Sequence, residues 1–218
     1  MIAAVVLAAG GSTRMGRSKA LLPLGAGTVL STVVERVLRS AVDLVVLVLG
    51  HEAEAVRAGA RLPEDPRLVV VVNRGWADGM ASSLRAGLEA SDGAQALVVA
   101  LGDQPELDSQ SIDRLADAWR EGARIAAVAH AGRLGHPVLF DQSLFADLAR
   151  LRGDAGARGI LKARSDEVVR VEGPPLRDLD TASDYEAFVA GEPAAKDEGL
   201  DLPRSREESD ADGGPGQE

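Results

Sequence analysis

The chain has 218 residues, of which 45% are hydrophobic and 27% charged, and its formal net charge is −10 with no cysteine. This length is sufficient for one α/β domain with a sizeable core. The lack of cysteine excludes disulfides and cysteine-ligated metals. The acidic balance argues against nucleic acid as a partner.

The N-terminal residues run directly into an apolar stretch, Ile2 to Leu7, without the basic start and cleavage site of a secretory signal. No apolar run has the length needed to cross a bilayer. We therefore expect a cytoplasmic protein that has no membrane partner.

Short apolar runs alternate with segments in which apolar residues recur at helical spacing. The predicted strands are residues 2–7, 44–49, 68–72, 96–101, 125–129, 135–140 (a turn leading into a strand) and 168–171. The predicted helices are 29–38, one ending near 61, 80–90, 109–121, 143–151, a short one after 158, and one ending near 190. Strands without polar alternation, separated by helices, indicate a parallel sheet covered on both faces. We predict an α/β fold, a Rossmann-like three-layer sandwich with a mostly parallel central sheet.

The composition changes near residue 191, where Glu, Asp, Gly, Pro and Ser begin to dominate. Such a segment cannot bury enough apolar surface to become ordered. We predict a single domain over residues 1–190 and a disordered acidic tail over residues 191–218.

The first predicted strand is followed by a polar, glycine-containing loop. Small residues at 8–11 allow a sharp turn and a close approach to a ligand. Ser12, Thr13, Arg14 and Lys19 add hydroxyl groups and cations beside exposed backbone N–H groups, a combination that suits a polyphosphate. The loop matches neither of the two common glycine-rich phosphate patterns.

The sequence of this loop is Leu7-Ala8-Ala9-Gly10-Gly11-Ser12-Thr13-Arg14-Met15-Gly16, followed by Lys19. It resembles the signature loop of the MobA-like nucleotidyltransferases, and among them most closely the molybdenum cofactor cytidylyltransferases. The resemblance implies the nucleotide-diphospho-sugar transferase type of fold and a loop that wraps the triphosphate of a nucleotide. It implies catalytic roles for Arg14 and Lys19, and nucleotide binding by Leu7, Ala8, Ala9, Gly10, Gly11, Ser12, Arg14 and Lys19.

Two acidic motifs are candidates for a magnesium site. Asp103 follows a predicted strand in Gly102-Asp103-Gln104-Pro105, where its carboxylate can hold Mg²⁺ against phosphate oxygens or serve as a turn residue. This motif resembles the metal-binding motif of the family, which implies that Asp103 is a catalytic metal ligand. Asp178-Leu179-Asp180-Thr181 resembles a late family motif whose second acid reaches the same metal, here Asp180. Capping of the last helix by Asp180 or Thr181 is the alternative.

The segment from Asn73 to Leu84 resembles a family segment that closes over the nucleoside. We expect Gly79, Ser82 and Ser83 to line the nucleotide site, and Trp76 to be a structural residue. The alternative for the serines is capping of the helix.

Two further motifs resemble elements beside the acceptor substrate in the same family. They are Gly135-His136-Pro137 and Gly153-Asp154-Ala155-Gly156-Ala157-Arg158. The resemblance implies acceptor binding by His136, Pro137, Asp154 and Arg158. An arginine where a loop enters a helix suits a phosphate, although it also suits a solvated helix face.

The resemblance implies Mg²⁺-dependent transfer of CMP from CTP, a nucleoside triphosphate, to the phosphate of molybdopterin cofactor, a phosphorylated pterin. It also implies a molybdoenzyme that receives the product. A guanylyltransferase acting on a molybdopterin or on phospholactate is an alternative. So is a nicotinamide-dependent reductase of a quinone-like pigment such as nicotine blue, although Leu49-Gly50-His51 lacks the acid that a dinucleotide fold uses there. A module that binds the pterin without converting it is a third possibility.

Overall fold

The computed structural model describes residues 1–11, 15–16, 18–154, 156–175, 177–192 and 200–201. The strands are β1 (Ile2–Ala8), β2 (Pro23–Leu24), β3 (Gly27–Thr28), β4 (Leu44–Leu49), β5 (Leu68–Val72), β6 (Ala96–Leu101), β7 (Ile125–His130), β8 (Arg133–Asp141), β9 (Val168–Glu172) and β10 (Leu200–Asp201). The α-helices are α1 (Val29–Leu38), α2 (Ala53–Gly59), α3 (Met80–Glu89), α4 (Ser109–Arg120), α5 (Phe145–Arg150), α6 (Arg158–Ala163) and α7 (Ala182–Val189). Short 3-10 turns lie at Lys19–Leu21, Trp76–Asp78, Gln142–Leu144 and Ser165–Glu167.

The main sheet has the strand order β5-β4-β1-β6-β8-β7-β9, with β10 beside β8, and β2 pairs with β3 separately. β5, β4, β1 and β6 are mutually parallel, and β9 is parallel to β7. β8 is antiparallel to both of its long neighbours. The predicted mostly parallel sheet is therefore confirmed. Since the chain builds outward from β1 to β4 and β5, then returns to place β6 on the other side, the crevice for a ligand lies between β1 and β6.

Both faces of the sheet are covered, because consecutive residues of a buried strand point to opposite faces. Val6 packs with Leu30 of α1 and Ile112 of α4 on one face. Val5 packs with Leu84 of α3 on the other. This arrangement is the predicted three-layer sandwich.

The antiparallel direction of β8 is not visible in the sequence, since a buried apolar strand has the same pattern in either direction. β7 and β8 form a hairpin, and a bulge interrupts it where Ala127 pairs with Val138 but Val128 pairs with Gly135. The pairing of β6 with β8 ends at Val99 and Val138. The bulge thus turns β8 away from the carboxyl end of β6 and opens space there.

Within residues 191–218, predicted to be a disordered acidic tail, Leu200–Asp201 forms a strand, whereas residues 193–199 and 202–218 lie outside the described residues. β10 pairs with Leu134 and Arg133 at the start of β8. Leu200 packs against the apolar cluster that contains Leu134, which gives this short piece enough buried surface to pair. Within the described ranges, the helices are too short or too polar to traverse a lipid bilayer.

Candidate functional site

A cavity of about 590 Å³ opens at the carboxyl edge of the sheet, a volume in the range of small-molecule sites. It is lined by the ends of β1 and β6, the segments before α3, α6 and α7, and the bulge of β8. A smaller cavity of about 230 Å³ shares four residues with it, namely Leu7, Gly10, Asp103 and Asp180. The two cavities therefore form one recess above β1 and β6.

Three charged side chains from distant parts of the chain meet in this recess. Nζ of Lys19 lies 2.5 Å from Oδ1 of Asp180 and 3.2 Å from Oδ2 of Asp103. Lys19 opens the 3-10 turn after the first loop, Asp103 follows β6, and Asp180 precedes α7. The structure thus brings together Lys19, Asp103 and Asp180, which the sequence analysis selected separately.

Hydrogen bonds between two loops hold the carboxylates at this spacing. The N–H of Leu179 donates to the carbonyl of Asp103 over 3.2 Å. Nε2 of Gln104 donates to Oδ1 of Asp178 over 2.7 Å. Leu179 is fully buried, which fixes the segment between the two aspartates. Sequence reasoning quoted Gln104 and Asp178 within their motifs but gave them no role, and only the structure shows that they join the motifs.

Burial and the ion pair together shift the pKa values of Asp103 and Lys19. Burial raises the pKa of Asp103 above its ordinary value of 3.8, the Lys19 ammonium opposes that rise, and the Asp178 carboxylate adds to it. Burial alone would lower the pKa of Lys19, but the neighbouring carboxylates raise it above its ordinary value of 10.5. The Lys19 ammonium therefore favours the ionised form of Asp103 against the effect of burial.

Asp180 and Thr181 make separate contacts, and of the two it is Thr181 that caps the helix. Thr181 is the N-cap of α7, and its hydroxyl oxygen accepts from the N–H of Asp184 over 3.2 Å. The carboxylate of Asp180 instead meets Lys19.

The carboxylates fit a divalent cation that is also held by a substrate. Asp103 and Asp180 already share one positive group, the Lys19 ammonium, which shows that their oxygens converge. Within the described ranges, no cluster of three or more Asp, Glu, His or Cys residues could hold a metal. Mg²⁺ is commonly bound by one or two carboxylates, with water and phosphate oxygens completing its shell.

The described residues of the loop after β1 line the recess. Leu7, Ala9, Gly10 and Gly11 line the larger cavity, whereas Ala8 and Lys19 line the smaller one. The predictions for Ser12 and Arg14 fall outside the described residues.

The loop after β4 packs closely against the first loop. A Cβ at Gly50 would lie 2.7 Å from Cβ of Ala9 and 2.6 Å from Cβ of Trp76, so only glycine fits without movement. The ring of His51 meets the ring of Trp76 edge to face, with centroids 5.0 Å apart. Trp76, expected to be structural only, also lines the larger cavity.

The two serines predicted at the nucleotide site differ in their surroundings. Ser83 lines the larger cavity together with Gly79. Oγ of Ser82 lies 2.9 Å from the carbonyl oxygen of Gly75 and 2.8 Å from that of Gly79, and it accepts a hydrogen bond from Asn73. The Ser82 hydroxyl therefore holds the turn before α3, and Ser82 is not among the residues that line either cavity.

Three of the four predicted acceptor residues, His136, Asp154 and Arg158, line the larger cavity, whereas Pro137 lies beside His136 in the bulge of β8. Oδ1 of Asp154 accepts a hydrogen bond from the N–H of Met80 over 3.4 Å. The loop before α6 is thereby attached to the first residue of α3.

His136 is 5% exposed, and its Nε2 is buried without a hydrogen-bond partner among the described residues. Burial, together with the charge of Arg158, lowers the pKa of His136 to about 4. The imidazole is neutral near pH 7 and carries both a ring N–H donor and a ring nitrogen acceptor.

A sequence model of the MobA-like NTP transferase domain matches residues 4–168. The chain belongs to the MobA-like NTP transferase family. It is 40% identical over 172 residues to nicotine blue oxidoreductase of Paenarthrobacter nicotinovorans, covering 75% of this chain and 82% of that protein. It is 25% identical over 182 residues to molybdenum cofactor cytidylyltransferase of Escherichia coli, covering 83% of this chain and 92% of that protein.

Solved structures with a similar fold cover most of the chain. The structure of Rv0371c from Mycobacterium tuberculosis matches with a TM-score of 0.76 and 34% identity, covering 87% of this chain and 97% of that one. Rv0371c in complex with manganese matches with a TM-score of 0.72 and 33% identity, covering 87% of this chain and 97% of that one. A divalent metal is therefore present in the structure of a related protein.

Proposed function

We propose that this protein transfers a nucleotidyl group, CMP from CTP, to the phosphate of a molybdopterin-type acceptor and releases pyrophosphate. The observation that carries the proposal is the meeting of Lys19, Asp103 and Asp180 beside a cavity of about 590 Å³. A cation and two carboxylates at the carboxyl edge of the sheet suit a metal–nucleotide complex. A molybdoenzyme that takes up the product is part of the same proposal.

In the proposed reaction, an oxygen of the acceptor phosphate attacks the α-phosphorus, and the bond between that phosphorus and the pyrophosphate oxygen breaks. A phosphate monoester is already anionic near neutral pH, so no strong general base is needed. Positioning and neutralisation of charge would supply the rate enhancement. Lys19 would neutralise phosphate charge, and the resemblance gives Arg14 the same role. Mg²⁺ bound by Asp103 and Asp180 would supply a Lewis acid that neutralises charge on the phosphates.

The choice of CTP rests on the small residues of the first loop. Guanylyl relatives tend to have Leu-Ala-Gly-Gly where this chain has Leu7-Ala8-Ala9-Gly10. The Ala9 methyl group lies so close to Gly50 that a Cβ at Gly50 would overlap it, and Ala9 lines the cavity. It is therefore placed to affect the size of the base that fits.

The acceptor would bind at the other end of the larger cavity. Arg158 offers a cation for its phosphate. The buried, unpartnered Nε2 of His136 supports a hydrogen bond to a polar group of a ligand, because a buried polar atom without a partner is costly. Gly79 and Ser83 would contact the nucleoside.

A second candidate function, nicotinamide-dependent reduction of a quinone-like pigment, is favoured by the 40% identity with nicotine blue oxidoreductase. The same recess would then hold a dinucleotide. Dinucleotide folds use an acid at the end of the second strand to bind the ribose. Here β4 ends at Leu49, and Gly50 and His51 follow, so these positions lack the acid that would bind the ribose.

The two candidates are separated by assaying one preparation in both reactions. Pyrophosphate release would be measured with Mg²⁺, molybdopterin cofactor and each of CTP, GTP, ATP and UTP, and NADH or NADPH oxidation with nicotine blue. We expect pyrophosphate with CTP above all, and no pigment-dependent oxidation. Equal release with CTP and GTP would remove the basis for naming cytosine. Pigment-dependent oxidation without pyrophosphate release would replace the transferase by the reductase.

A further inference from the structure

The Lys19 ammonium occupies the position where the proposed reaction places the metal. It lies between the carboxylates of Asp103 and Asp180. In the proposed function the metal lies between those carboxylates, and the ammonium contacts the phosphates. One ammonium group cannot occupy both positions.

We propose that Lys19 is a resident counter-ion that exchanges with the metal. Without a ligand it holds the carboxylate pair together, and on binding of a metal–nucleotide complex it moves from the carboxylates to the phosphates. This inference rests on the proposed function and adds to it a coupling between metal binding and nucleotide binding.

The electrostatics of the recess explain why a counter-ion is needed. The side chains of Asp103 and Asp180 are 27% and 34% exposed, and both carboxylates contact the one ammonium of Lys19. An unpaired carboxylate in such a place is costly. The Lys19 ammonium reduces that cost and keeps the two oxygens pointing at one position.

The anchoring of the turn allows the side chain to move while the backbone stays in place. The N–H of Leu22 donates to the carbonyl of Lys19 over 3.1 Å, and the N–H of Val29 donates to the carbonyl of Leu22 over 2.9 Å. Leu22 is 1% exposed and packs with Val29. The side chain of Lys19, by contrast, lines an open recess with Gly10 and has four flexible carbons.

Exchange of the Lys19 ammonium with the metal predicts that the affinities for the metal and for the nucleotide depend on each other. A free divalent cation must displace the ammonium from both carboxylates, so two ion pairs are lost when the metal binds. A metal–nucleotide complex brings phosphates that accept the displaced ammonium. The metal should therefore bind weakly alone and more tightly with nucleotide, and the coupling must be reciprocal.

The test measures binding of free Mn²⁺ by electron paramagnetic resonance, without nucleotide, to the wild type and to Lys19→Met and Lys19→Gln. We expect both variants to bind Mn²⁺ roughly tenfold more tightly than the wild type, within the usual range of coupling between sites. Lys19→Arg keeps the charge and should bind Mn²⁺ as weakly as the wild type. Lys162→Met, which removes an exposed lysine from α6, is the matched control and should not change the affinity.

Adding Asp103→Asn to Lys19→Met should abolish the gain, which would assign the tighter site to this carboxylate pair. Unchanged or weaker Mn²⁺ binding in folded Lys19→Met and Lys19→Gln would overturn the exchange. If neither neutral variant folds, Mn²⁺ is titrated into the wild type with and without a non-hydrolysable CTP analogue, and equal affinities would then overturn it. Pyrophosphate release by the wild type is measured separately, so failure of the exchange and failure of the proposed transferase are distinguishable.

Discussion

Nζ of Lys19 lies 2.5 Å from Oδ1 of Asp180, although the two residues are 161 positions apart in the chain. The contact joins the loop after the first strand to the segment before the last helix. Both residues line the smaller cavity of the recess. The fold therefore brings an early loop and a late loop of the chain together at one site.

We expect Asp180→Asn to impair transfer without affecting the start of α7. The change removes the charge that meets Lys19 and leaves the N-cap at Thr181 intact. Thr181→Ala is the matched neighbour, and it should cost about 1 kcal/mol of unfolding free energy through loss of the cap while retaining most turnover. Pyrophosphate release and urea denaturation measure the two effects. Normal turnover in Asp180→Asn would remove it from the metal site.

Gly50→Ala should destabilise the fold by about 1–3 kcal/mol, because the added methyl group overlaps Ala9 and Trp76. The first loop should be displaced as well, which weakens nucleotide binding. Gly135→Ala is the control, since a Cβ there meets nothing within 4 Å. Urea denaturation gives the stability, and thermal shift with CTP and Mg²⁺ gives the binding. Equal stability of the two variants would contradict the packing described for this loop.

The buried His136 should make stability depend on pH. Its pKa is about 4 in the folded protein, against 6.5 for an unperturbed histidine, so the unfolded chain binds more protons between these values. The stabilisation that this histidine contributes is fully present above pH 6.5. As the pH falls to 4, the free energy of unfolding decreases by about 3 kcal/mol.

Other groups titrate in the same range, so the comparison uses His136→Gln. The stability advantage of the wild type over this variant should shrink as the pH falls from 6.5 to 4. A difference that stays constant over this range would show that His136 has an ordinary pKa in the folded protein.

The parallel half of the sheet could be predicted from the sequence because its strands are continuous apolar runs, each followed by a glycine or a polar residue. As expected, β1 is followed by Gly10, β4 by Gly50, β5 by Asn73 and β6 by Gly102. The direction of β8 and its bulge at His136 could not be predicted, because they depend on pairing with β6 and β7.

Site residues could be predicted from the sequence where a motif directly follows a predicted strand. Neighbouring residues with the same chemistry were not separable: Ser83 lines the cavity, whereas the Ser82 hydroxyl holds a turn. The hydrogen bond from Gln104 to Asp178 joins residues 74 positions apart, and no spacing in the sequence indicates it.

The most direct test of the account is pyrophosphate release by Asp103→Asn with Mg²⁺, CTP and molybdopterin cofactor. The change preserves the shape of the side chain and removes the carboxylate that we propose as a metal ligand. Asp117→Asn, on the exposed face of α4, is the control for loss of one negative charge. We predict a loss of at least about 100-fold in turnover for Asp103→Asn, on the scale of removing one electrostatic contact to the transition state, and no loss for Asp117→Asn. Turnover of Asp103→Asn equal to that of the wild type would contradict the transferase mechanism.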